Sequence, residues 1–497
     1  MLDLLIMLSR YVFVAYIGVF LWLAVVYIAY EQGGNFGNPY NAVVLQRRII
    51  FAFHITAFSI LTFQTTLFDW ETCVFGILCL AFLLLLFFAL DKFYYDGCPL
   101  IWTGVVFLID ISLVILQRIQ PSLAHRQLIW FLIGIIGVML LPIFLRWFPR
   151  FEVFEGACII ISYGLLICTQ FFGVESGGST NWLRFSLLGQ SISFQPSEIV
   201  KFLFVFYLAS VFRKRVGLKS LLISGSLSAG IVLLLVLQKD LGSALIFFMT
   251  FMVLLYIATS NEFLFLLGMV AASGASFVAY KIFNHVRVRV AIWSNPWTDI
   301  EGSGYQIVNS LFAITTWGMW GSGLTKGVPT VIPVVESDLL FAAICEEFGA
   351  IFGAGVIAIF IMLLYRGVRI ALDCNRRYYS ILAMGVTTML VFQAFIIIGG
   401  VIKLIPLTGV TLPLVSYGGS SVLVSCMMVG LLQWVCVYCE QHERQESRTN
   451  EATEQWDFQQ PSTFTVPIEQ EAAEEIVSED AYHSKKEGRK RRESNEE

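Results

Sequence analysis

The sequence predicts an all-α polytopic membrane protein that crosses a bilayer about thirteen times and ends in a disordered cytoplasmic tail. Three observations predict it. Of 497 residues, 57% are hydrophobic but only 14% are charged, whereas soluble domains carry about 25% charged residues. The mean hydropathy of +0.75 leaves too few polar side chains to cover a water-facing surface, so most of the exterior faces lipid. Apolar runs of roughly 20 residues recur, which is the length a helix needs to cross the hydrocarbon core, and the alternation of a transmembrane β-barrel is missing.

From the N-terminus, spans are expected at 8–30, 48–69, 72–91, 98–118, 127–148, 152–173, 196–213, 220–238, 240–259, 262–283, 338–365, 380–403 and 412–438. The first run is long and lacks a small-residue cleavage site, so it reads as a retained span and not as a signal peptide. Arg47 and Arg48, Arg146 and Arg150, Arg213 to Lys219, and Arg366 to Arg377 fall on alternate connections. The positive-inside rule places those connections in the cytoplasm, with the N-terminus outside and the tail inside. Arg118, Arg126, Arg287 and Arg289 are a minority on the opposite side.

Two outer connections, 174–194 and 284–337, are long and patterned, as functional loops tend to be. The second carries Trp293, Trp297, Tyr305, Trp317 and Trp320 among glycines, which suits a segment at the membrane interface. Beyond Cys439 the composition turns to Glu, Gln, Ser, Thr and Lys, which cannot bury enough apolar surface to fold alone. Lys485-Lys486 and Arg489 to Arg492 near its end either touch anionic headgroups or are simply solvated. The net charge of −4 is spread over loops and tail, so no nucleic-acid role follows. The 10 cysteines lie mostly in apolar runs and read as small buried hydrophobes. The one CxxC, Cys436 to Cys439, lacks the second pair a zinc site needs.

Ionisable residues at membrane depth are costly, which makes each a functional candidate, and four clusters qualify. In Gln195-Pro196-Ser197-Glu198-Ile199-Val200-Lys201, the proline fits a first helical turn and Glu198 and Lys201 share a face. They form either an internal ion pair or a substrate-facing pair. Lys239-Asp240-Leu241-Gly242 is a tight turn between two spans, either a functional element or a charged interface marker. Glu336-Ser337-Asp338 precedes Glu346-Glu347. With a helix starting near Ser337, Asp338 falls in its first turn, where the helix dipole keeps a carboxylate ionised and able to accept a proton. N-capping for Asp338 and structural pairing for the glutamates are the competing accounts. The fourth cluster is Pro406-Leu407-Thr408-Gly409-Val410-Thr411-Leu412-Pro413, followed by Ser416-Tyr417-Gly418-Gly419-Ser420-Ser421. Backbone broken at this density is tolerated at membrane depth only where protein covers it or it lines a cavity, so an outward-facing hydrated cavity is implied, with small residues packed at helix contacts as the competing account.

In this order and spacing the clusters resemble the SEDS family of FtsW, RodA and SpoVE, the membrane-embedded peptidoglycan glycosyltransferases. Gly177-Gly178 with Asn181-Trp182, Arg289 ahead of Asn295-Pro296, Tyr305-Gln306 to Ser310, and Gly318 to Gly323 extend the resemblance over about 100–438. It implies a ten-helix SEDS-like core at 98–438 with an extracytoplasmic loop at 284–337, preceded by about three extra helices in 1–97 and followed by the tail, 439–497. It also implies polymerisation of lipid II into glycan strands, with undecaprenyl pyrophosphate leaving, at the outer face of the bacterial cytoplasmic membrane. The process served is cell division, elongation or sporulation. Expected partners are a class B penicillin-binding protein and other divisome or elongasome membrane proteins.

The family's essential aspartate sits in a Thr-Asp-Phe-(Ile/Leu)-Phe-Ala pattern, which reads here Ser337-Asp338-Leu339-Leu340-Phe341-Ala342, so the resemblance implies Asp338 as the catalytic base. Substrate contacts are expected from Trp182, Arg184, Glu198, Lys201, Asp240, Arg287, Arg289, Gln306, Glu346, Ser416, Gly418, Gly419 and Ser420. Arg287, Arg289, Lys201 or a divalent cation, Mg²⁺ or Mn²⁺, would offset charge on the leaving group. Asn181 stands where the family often has Arg, with Arg184 as the expected substitute, and Lys403 replaces a residue that is usually small or apolar. A transporter that flips lipid II and a noncatalytic division scaffold are the alternative functions.

Overall fold

A computed structural model describes residues 2–33, 38–64, 68–147, 154–176, 179–187, 190–214 and 217–459. Arg150, Gly177-Gly178 and the basic cluster at the end of the tail lie outside these residues. The chain divides into two compact units, 1–440 and 441–497.

The first unit is a helical bundle. Its long helices are α1 (Leu2–Glu31), α2 (Pro39–Thr62), α3 (Trp70–Phe93), α4 (Pro99–Ile119), α5 (Pro121–Trp147), α6 (Glu155–Phe172), α7 (Pro196–Phe212), α8 (Leu218–Leu237), α9 (Leu241–Thr259) and α10 (Glu262–Ile282). Two shorter helices, α11 (Asn284–Ser294) and α12 (Tyr305–Thr316), occupy the long outer connection. The bundle closes with α13 (Leu340–Phe348), α14 (Ala350–Asp373), α15 (Arg377–Val401) and the residues up to 440 of α16 (Gly419–Gln459). Among the described residues 12 helices are long and apolar enough to cross a membrane. Helix α7, at 17 residues, accounts for the thirteenth expected span. It opens with Pro196 at a position where the missing N–H costs nothing.

Three features depart from the expectations. The apolar run at 338–365 is not one span but two helices, α13 and α14, broken at Gly349, whose φ of +97° and ψ of 161° only glycine adopts readily. A methyl group there would also run into the Met319 carbonyl and the Trp320 backbone. Gly349→Ala is therefore expected to destabilise the fold by about 2 kcal/mol or more, read as a lower unfolding midpoint of the detergent-solubilised protein. The second departure is a three-stranded antiparallel sheet in the 174–194 connection, built from β1 (Val174–Ser176), β2 (Ser179–Leu187) and β3 (Gln190–Phe194). The third is that α16 continues past Cys439 to Gln459. Glu, Gln and Arg, which are abundant after Cys439, favour helix even without a core to bury.

Helices α2 and α3 dock on α4 through a polar seam. Thr103 donates to Gln46 at 3.0 Å, Asp110 meets His54 at 2.6 Å, and Gln117 donates to Thr72 at 3.1 Å. Positions 103, 110 and 117 recur at two-turn spacing and so share one face of α4. The His54 ring also reaches the Gly76 carbonyl on α3 at 3.0 Å.

Candidate active site

A cavity of about 470 Å³ opens where the sheet, α7, the α8–α9 turn, α11, α12, the segment before α13, and the loop between α15 and α16 converge. Its wall carries the carboxylates of Glu198, Asp240 and Asp338 and the cations of Lys239, Arg289 and Lys403. Trp182 and Gln306 complete the predicted residues that reach it.

Each carboxylate is placed by its local chain. Asp240 caps α9, accepting from the Ser243 backbone N–H at 3.0 Å, while its Oδ2 takes bonds from Asn181, Gln195 and the Ser243 hydroxyl. Glu198 sits in the first turn of α7, and its Oε2 lies 2.7 Å from Lys201 Nζ. The lysine in turn donates to Gln393 Oε1 at 2.8 Å, and Gln393 donates to the Thr411 carbonyl at 2.8 Å. The two readings of the Glu198–Lys201 pair thus combine: the glutamate faces the cavity, while the lysine lies behind it and ties α7 to α15 and the broken loop.

Asp338 precedes α13 rather than lying in its first turn, because the helix begins at Leu340. Its carboxylate accepts from the Ser337 hydroxyl. Burial pushes the Asp338 carboxyl above the usual carboxylate range, against the Ser337 hydrogen bond and the Arg289 charge, which pull it down. The expected helix dipole, which favours the ionised form, is thus opposed by burial. Arg289 comes from α11 and donates to the Thr408 carbonyl at 2.9 Å. Between these two side chains lies Gly409 at φ +73°, where an added Cβ would sit 3.6 Å from Asp338 Oδ2 and 3.7 Å from Arg289 Nη2. The glycine lets the loop backbone turn between the two side chains without covering either.

The remaining predicted residues do not reach the cavity. Arg184 is exposed further along β2, and the side chain that meets Asp240 is Asn181, so Arg184 does not take the place expected of it. Arg287 is exposed on α11. Glu346 accepts the Val328 backbone N–H at 2.7 Å, and beside it Glu347 pairs with Arg118 at 3.0 Å and accepts the Thr325 N–H at 2.8 Å, so both glutamates are tied to the loop ahead of Asp338. Ser416 Oγ accepts the Leu412 N–H at 3.1 Å. Gly419 leaves room for the Trp130 indole, and buried Gly418 and Ser420 flank it. That run packs the broken loop against α5 and stays behind the cavity wall. Lys239, Gln195 and Lys403 also line the cavity, although none was among the expected substrate contacts. Lys403 takes φ +63°, and its carbonyl accepts from the Trp293 indole at 3.2 Å.

A bundle of membrane-length helices with paired charges in a cavity roofed by broken backbone defines a polytopic membrane protein with a polar site at one end of its bundle. Residues 92–441 match the Cell cycle protein family of FtsW, RodA and SpoVE, and the chain belongs to that family. It is 32% identical over 367 residues to the peptidoglycan glycosyltransferase RodA of Mycobacterium bovis, covering 67% of this chain and 76% of that protein. With stage V sporulation protein E of Bacillus subtilis it shares 34% identity over 327 residues, covering 63% of this chain and 87% of that protein. Among solved structures it resembles a chain from work on the structural coordination of polymerization and crosslinking by a peptidoglycan synthase complex. The TM-score there is 0.59 at 25% identity, over 68% of this chain and 97% of that one.

Proposed function

We infer that this protein is a peptidoglycan glycosyltransferase that polymerises lipid II at the outer face of the bacterial cytoplasmic membrane, with its tail in the cytoplasm. A class B penicillin-binding protein cross-links the product. The observation that carries this reading is the placement of Asp338 and Arg289 in one cavity on either side of Gly409.

Glycosyl transfer from a diphosphate donor needs a base at the acceptor hydroxyl and cations at the leaving group. Asp338 takes the proton of the acceptor sugar hydroxyl. The freed oxygen bonds to the anomeric carbon of the donor, and the bond from that carbon to the diphosphate breaks. Arg289, with Lys239 and Lys403 on the same wall, offsets the charge that collects on the departing diphosphate. A carboxyl raised by burial suits this work, because a base nearer the working pH is a better proton acceptor.

Among the described residues no three His, Cys, Asp or Glu side chains gather to cage a metal. Asp338 and Asp240 line one cavity, however, and one or two carboxylates with substrate phosphates is a coordination that Mg²⁺ or Mn²⁺ accepts. A divalent cation held there would supply further charge compensation.

The test is purified protein with lipid II, with and without a class B penicillin-binding protein. Glycan strands are expected. Passage of lipid II across a proteoliposome membrane without polymer would replace this reading with the transporter. The acid limb of the kcat/KM profile is expected above the ordinary aspartate value of about 3.9, because Asp338 must lose its proton before it can act and its carboxyl is raised. An acid limb at or below that value would remove Asp338 as the titrating base.

A further inference from the structure

The N-terminal helices lie outside the cavity, yet one of them touches the segment that carries Asp338. Arg10 on α1 donates to the Gly321 carbonyl at 3.3 Å and to the Tyr11 hydroxyl at 2.9 Å. The Tyr11 ring packs on Trp320 with centroids 4.9 Å apart, and Phe13 meets Phe348 at 4.9 Å. This flank of α1 therefore grips the loop at 320–321 and the last residue of α13.

The gripped loop is itself fastened to the helix break. Ser322 and Gly323 donate to the carbonyls of Glu346 and Glu347 at 2.8 and 3.0 Å, and Ile351 donates to that of Met319 at 3.2 Å. Gly321, at φ +74°, lies directly against the Gly349 backbone. Helix α13 connects this junction to the cavity. All nine of its residues are buried, so it is held as a rod of about 13 Å. Its C-terminal end is the junction that α1 touches, and two residues beyond its N-terminal end stands Asp338. A shift at one end of such a rod is carried to the other, because close-packed interiors transmit displacement instead of absorbing it.

We propose that α1 positions the reaction: Arg10 and Tyr11 fix the loop at Trp320-Gly321 and the far end of α13, and the rod sets where Asp338 stands in the cavity. The proposal rests on the glycosyltransferase reading. Neither Arg10 nor Tyr11 lines the cavity, so they act as positioning residues.

The experiment compares wild-type protein, Arg10→Ala, Arg10→Lys, Tyr11→Ala, Trp320→Ala and the Tyr11→Ala/Trp320→Ala double variant in lipid II polymerisation, with the unfolding midpoint of each measured alongside. Misplacement of a base by a fraction of an ångström lowers the chemical step. Arg10→Ala is expected to lose about tenfold in kcat with KM within about twofold. Arg10→Lys, which still donates to the Gly321 carbonyl, is expected to recover most of that loss. The double variant is expected to fall no further than the worse single one, since both remove the same contact. Unchanged kcat in Arg10→Ala overturns the proposal, as does a double variant whose losses multiply. Should Arg10→Ala fail to fold, the Tyr11–Trp320 cycle decides by the same criteria. Absence of polymer from the wild-type protein would instead strike the glycosyltransferase reading beneath it.

Discussion

Asp338→Asn is expected to lower kcat for glycan polymerisation by about a thousandfold, with KM changed little. The amide keeps the side chain's volume and can still meet the Ser337 hydroxyl, so the segment before α13 should hold its shape. What it loses is a lone pair basic enough to take a proton, and general-base assistance supplies about 10²–10⁴ in rate. Arg289 would keep the Thr408 carbonyl and the field of Asp240 as partners, so no cation is left stranded by the change. The measurement is single-turnover polymerisation of labelled lipid II by the purified complex, with the unfolding midpoint as control. A variant that retained a tenth of wild-type turnover while folded would show that the reaction needs no base at this position.

Arg289→Ala is expected to cost about 10²–10³ in kcat, the usual loss when one preorganised group facing developing charge is removed. A second signature separates it from simple loss of binding. Arg289 is one of the groups that lower the Asp338 carboxyl against burial, so its removal should move the acid limb of the pH profile upward. Arg289→Lys keeps the charge but gives up the planar fork that reaches the Thr408 carbonyl. It should therefore leave the limb close to wild type while recovering only part of the rate. A pH profile unmoved by Arg289→Ala would mean that the two side chains do not sense each other.

Most of the fold could be read from apolar run length, since a stretch long enough to cross hydrocarbon has few alternatives. The reading failed where composition carries no mark of a break. Leu340–Phe348 is as apolar as a membrane span apart from its two glutamates, and only the backbone geometry of Gly349 reveals that the helix ends. The sheet was open to detection, because Leu183, Arg184, Phe185, Ser186 and Leu187 alternate with the period of a strand.

Six of the predicted site residues share the cavity because they sit at chain breaks: the sheet, two helix starts, the two short helices in the long connection and the turn before α13. Arg287 could not be separated from Arg289 beforehand, since two positions on α11 turn a side chain to nearly the opposite face and only the register decides which one reaches the cavity. Glu346 serves the Val328 backbone and does not line the cavity, a placement that in sequence looks like a carboxylate awaiting a ligand.

The seam on α4 bears on biogenesis. Asp110 belongs to the stretch matched by the family, whereas its partner His54 comes from the region before it. A nascent chain that inserted without its first helices would present an aspartate to acyl chains, at about 3 kcal/mol by translocon scales. Such a product is a natural target for membrane quality-control proteases. The leading ninety-odd residues thus carry the partner that shields this carboxyl, and a version trimmed to the matched stretch is expected to need that one acidic group neutralised.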